Sequence, residues 1–104
     1  MAKNFLMLVL LALLAAGAQT SLAADASAPR GKTLFNDPTL GGSTNPSSCN
    51  TCHQDGKGLE QAGTRKDLAA MINTCIVQAL QGKKLDEHSP EMESLLLYIR
   101  SLGK

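Results

Sequence analysis

The five residues Cys49-Asn50-Thr51-Cys52-His53 place two thiols three positions apart, with an imidazole directly after the second. Residues three apart share one side of a helical turn, so both sulfurs can reach a single object. The size of the chain sharpens that constraint. Of 104 residues, the first 24 read as a leader, and the remaining stretch of about 80 is short for a core that is stable on apolar burial alone. Beyond the leader the only aromatic residues are Phe35 and Tyr98, and there is no Trp. A disulfide, a metal or a bulky cofactor is therefore expected to complete the core.

The leader reading rests on Lys3, an apolar run from Phe5 to Ala16, and small residues ending at Ala23 and Ala24, where a signal peptidase can cut. The run falls short of the roughly 18 to 20 residues that a membrane-spanning helix needs. No cysteine precedes Cys49, so none stands near the cut to carry a lipid. The expected product is residues 25–104, one soluble domain in the periplasm with no stable membrane insertion. Without Lys3 it has nine basic and nine acidic residues and no basic block, which argues against nucleic acid as a partner.

Three segments have helical character. "PRGKTLF" starts at Pro29, suited to a first turn, and should stop near Asn36 to Pro38. "TRKDLAAMINTCIVQALQGKKL" repeats apolar residues at Leu68, Met71, Ile72, Cys75, Ile76, Ala79 and Leu80, the pattern of one buried face. Thr64 is its expected N-cap, with Asp67 completing an approximate capping box, and Gly82 its expected stop, followed by Lys83 and Lys84 at the negative end. "SPEMESLLLYIRSLGK" opens with Ser89 as N-cap and Pro90 at the first helical position. Met92, Leu95, Leu96, Ile99 and Leu102 face inward, and the helix ends at Gly103. Stretches 39–48 and 54–63 read as loops. No strand pattern or internal repeat occurs, so the fold class is all-α.

Cys49, Cys52 and His53 form the CxxCH pattern of c-type haem attachment, in which the two sulfurs bind the macrocycle as thioethers and the histidine is the proximal iron ligand. A thioredoxin-like pair would want a strand before its CxxC, and none is visible. A zinc site would want further ligands at matching spacing, whereas Cys75 and His88 are scattered. A Cys49–Cys52 disulfide would close only a tiny loop and stabilise little. His88 lies among Asp86, Glu87 and Ser89, the composition of an exposed turn.

Residues 30–103 resemble a class I, single-haem cytochrome c. The resemblance implies a cytochrome c fold with crossing N- and C-terminal helices, about three main helices around one covalent haem c. Gly31 and Phe35 would meet Tyr98 at the crossing. The chain departs from the usual pattern after the pentad, because "QGKKLDEHSP" carries no methionine to serve as the distal ligand. Met92 falls on the apolar side of the last helix, a core position, and Met71 lies one helical turn before Cys75 on the same face.

The stretch from Ile72 to Ile99 is also similar to the haem domains of sulfur-oxidation cytochromes and thiosulfate dehydrogenases. It matches them at Ile72, Asn73 and Cys75, at Gly82, Lys83 and Leu85, and at Ser89, Glu91 and Met92. That similarity implies Cys75 as the distal iron ligand opposite His53, with Met71 and Met92 as alternatives. A thiolate there would favour ferric iron and a low potential. The expected function is single-electron transfer between redox protein partners by a monomer or weak complex. The alternatives are a haem subunit of a thiosulfate- or sulfur-oxidising enzyme, and a haem-based redox or gas sensor.

Overall fold

A computed structural model describes residues 25–103; the expected leader, 1–24, lies outside the described residues. Four α-helices follow in order: α1 Ala28–Phe35, α2 Cys49–Cys52, α3 Leu68–Gln78 and α4 Pro90–Ser101. Short 3-10 turns at Leu40–Gly42, Gln54–Gly56 and Ala62–Thr64 punctuate the connections. Among the described residues there is no strand, and no helix is long and apolar enough to cross a membrane.

The caps explain where α1 and α4 begin. Ser27 accepts from the Arg30 N–H at 3.1 Å with Pro29 in the first turn, and Ser89 accepts from the Met92 N–H at 3.2 Å with Pro90 behind it. Each side chain satisfies an N–H that has no partner within the helix. The two helices pack against each other through Gly31, where an added Cβ would lie 2.6 Å from the Ser94 carbonyl carbon and 2.8 Å from Tyr98 Cβ. Only a residue without a side chain permits that approach. Alongside it, Phe35 and Tyr98 meet edge to face with centroids 5.2 Å apart. Fully buried Ser94 accepts from the Ser27 N–H at 3.1 Å while donating to the Pro90 carbonyl at 2.7 Å, tying the start of α1 to α4. Arg30 and Glu91 add a half-exposed ion pair at 3.1 Å.

The structure revises three features of α3. Its N-cap position is Asp67, not Thr64, and no side chain caps it. The Asp67 carboxylate is occupied by the Arg65 guanidinium at 2.8 and 2.9 Å, which also holds it below the usual carboxylate range, and the Thr64 hydroxyl donates to the Gln61 carbonyl. The helix stops at Gln78, before Gly82, in a wide turn where the Leu80 N–H donates to the Cys75 carbonyl and the Gly82 N–H to that of Ile76. Gln81 takes the left-handed conformation there, at φ 58°.

The third revision concerns burial. Leu68, Ile72, Ile76 and Leu80 enter the core with Phe35, Leu40, Met92, Leu95 and Ile99, but Met71, Cys75 and Ala79 are exposed. The single apolar face read from the sequence is split between the core and an open surface. Leu102 is only half-buried, beyond the end of α4.

A candidate cofactor cleft

The capping pair at the start of α2 is local: the Ser48 N–H donates to Thr51 Oγ1 at 2.9 Å. The His53 N–H donates to the Cys49 carbonyl at 3.0 Å, closing one α-helical turn over the pentad. Cys49 and Cys52 therefore stand on the same side of it. After His53 the chain curls back: the Asp55 N–H binds the Asn50 side chain at 2.8 Å and the Gly56 N–H binds the His53 carbonyl at 2.8 Å. Gly56 and Gly58 take the positive φ values, 81° and 91°, that such a tight return requires.

The return brings the Lys57 carbonyl within 3.1 Å of His53 Nδ1. A carbonyl only accepts, so Nδ1 is the donor, and in the neutral ring Nε2 then carries the lone pair. Backbone support of one ring nitrogen with the other left to bind is the usual arrangement of a metal-ligating histidine.

Cys49, Cys52 and His53 all line one cleft of about 670 Å³, including its open mouth. Phe35, Leu80, Leu95 and Ile99 give it an apolar lining, and the exposed Met71 and Cys75 of α3, with Ala79 just after the helix, also border it. Met71 is 40% exposed and lines the cleft beside Cys75. Met92 is fully buried and does not line the cleft, so only Met71 and Cys75 among the three distal candidates do so. His88 is exposed and lies elsewhere, its backbone N–H bound to Asp86 at 2.7 Å.

The three cysteines carry free thiols. Burial pushes the Cys49 thiol up to about 11, with Cys75 the next contributor and Cys52 a smaller one. Cys75, distant in sequence, is thus a close neighbour of Cys49 in space. Between about pH 9 and 11 the folded chain keeps a proton that the unfolded chain releases, so in the haem-free protein stability falls as pH rises through that window. Iodoacetamide labelling read by mass spectrometry checks the same property. Cys49 should react last of the three, and its rate should climb about tenfold per pH unit until it levels near 11.

The donor set suits a covalently attached haem. It offers two thiols on one turn, an imidazole with Nε2 free, further sulfur donors on α3 and an apolar cleft between. It does not suit a bare metal ion, since among the described residues no three His, Cys, Asp or Glu side chains converge to hold one. Sequence reasoning named Asn73 only within the resemblance and gave it no role; it is a buried polar residue whose carboxamide binds both backbone groups of Leu85 at 2.8 Å. A polar residue between apolar positions of a helix was the signal that could have marked it as structural. Comparison with protein-family models, curated proteins and solved structures found no match to this chain.

Proposed function

We propose that this chain is a periplasmic c-type cytochrome that passes single electrons between redox proteins. One observation carries the reading: Cys49, Cys52 and His53 share an apolar cleft with the exposed sulfur residues of α3. Cys49 and Cys52 hold one haem c through thioether bonds, and His53 Nε2 is the proximal ligand, its ring fixed by the Lys57 carbonyl. Cys75 supplies the distal ligand, with Met71 as the alternative. When bound, the haem supplies an iron that cycles between ferric and ferrous states. Phe35, Leu80, Leu95 and Ile99 give the cleft an apolar wall that would shield the group from water, and the open mouth would give transient partners access to it.

The close packing of α1 on α4 at Gly31, with Phe35 against Tyr98, supports a cytochrome c fold. A cofactor in the cleft also accounts for the exposure of Met71 and Cys75 and for a core with two aromatic residues.

The test is expression of the full chain in a host with haem-attachment machinery, followed by acid–acetone extraction and a pyridine haemochrome spectrum. Haem that stays with the protein is the expected result. Haem that is extracted, or a protein isolated without any, overturns the proposal. Replacing both Cys49 and Cys52 by Ala should abolish the retained haem.

A further inference from the structure

The segment after α3, residues 79–85, forms a strap along one rim of the cleft, which Ala79 and Leu80 line. Bonds from several directions fix it. The Ser43 hydroxyl donates to the Leu80 carbonyl, the Lys83 N–H to the Gly41 carbonyl at 2.8 Å, and the Gly82 N–H to the Ile76 carbonyl at 2.9 Å. Asn73 completes the set from within α3: its Nδ2 donates to the Leu85 carbonyl and its Oδ1 accepts from the Leu85 N–H, both at 2.8 Å. Asn73 is only 7% exposed, so neither bond is readily exchanged for water.

Each residue of an α-helix advances by about 100°, so Met71 and Cys75 straddle the line directly opposite Asn73 on α3. The remaining anchors of α3 are the buried side chains of Leu68, Ile72 and Ile76. Apolar contacts are non-directional and tolerate a small rotation of the helix about its axis. The paired bonds of Asn73 do not, because they have one geometry at a fixed target. Locking one side of the helix sets the direction in which the opposite side points.

We infer that Asn73 is a positioning residue, which by clamping α3 to the strap sets the approach of the distal sulfur ligand to the iron. The inference rests on the haem reading above and holds for either sulfur. Asn73 itself is not among the residues that line the cleft.

The experiment uses the full haem-loaded chain. Wild type, Asn73→Ala and Ser27→Ala are compared by electron paramagnetic resonance of the ferric form, by midpoint potential and by urea unfolding. Ser27→Ala removes a helix cap remote from the cleft and serves as a control for lost stability. In Asn73→Ala the expected result is a second low-spin species, raised about tenfold in population as a buried paired group is lost, together with a shifted potential. Ser27→Ala should lose stability while keeping the wild-type signal and potential. If Asn73→Ala does not fold, Asn73→Asp, which keeps the acceptor and loses the donor, is read in the same way. A destabilised Asn73 variant with unchanged signal and potential overturns the inference alone. A wild-type protein without covalent haem overturns it together with the proposed function.

Discussion

Gly31→Val should cost more than about 3 kcal/mol of stability, and no side-chain rearrangement relieves it. The nearest atoms to an added Cβ are the Ser94 carbonyl, which is backbone, and Tyr98 Cβ, which is fixed to backbone. The whole of α1 must therefore lift from α4. With it go the 5.2 Å contact of Phe35 with Tyr98 and the 3.1 Å bond from the Ser27 N–H to Ser94. Phe35 also lines the cleft, so the same change removes part of its wall. Lys32→Ala, an exposed position next along the same helix, should stay within about 0.5 kcal/mol of wild type. Urea unfolding of the three proteins measures both differences, and a Gly31→Val variant as stable as Lys32→Ala would refute the account of this contact.

The sequence made the starts of α1 and α4 legible because their signals are local, while α4 stops at Ser101, short of the expected Gly103. Pro29 and Pro90 pre-set the first turn and Ser89 caps an N–H within a turn of itself, whereas the cap from Ser27 was not read. The all-helical character was legible for the same reason. The start of α3 was not, because Asp67 has two competing uses, and its contact with Arg65 prevails over a cap. Its end was not, because a glycine marks where a left-handed residue is easy, while here Gln81 takes that conformation one position earlier.

The pentad was legible as a unit and its place in the fold was not. Periodicity puts Leu68, Met71, Ile72 and Cys75 on a common apolar face, but it cannot tell a surface that meets other helices from one that borders a cleft. Only the arrangement of α1, α2 and α4 around α3 separates buried Ile72 and Ile76 from exposed Met71 and Cys75. The contacts of Asn73 and Ser94 were not legible for a related reason. Their partners, Leu85 and Ser27, are far away in the chain, and no local rule relates them.

Cys75→Ala should change the ferric low-spin spectrum of the haem-loaded protein and raise its midpoint potential on the order of 0.1 V, since axial ligands set potentials across a range of about 0.8 V. The direction follows from charge: a thiolate stabilises ferric iron, and losing it favours the ferrous state. Met71→Ala is the necessary partner. Both side chains line the cleft from one face of α3, and a helical side chain leans back over the preceding turn, so the Cys75 sulfur is directed toward the turn of Met71. If Cys75 is the ligand, Met71→Ala leaves spectrum and potential close to wild type. If Met71 is the ligand, the responses exchange, and its loss lowers the potential, because thioether ligation holds potentials high. Met92→Leu should alter neither, since Met92 is fully buried outside the cleft. A protein that keeps the wild-type spectrum in both Cys75→Ala and Met71→Ala would remove α3 as the source of the distal ligand. The exposure of its sulfur residues would then need another cause.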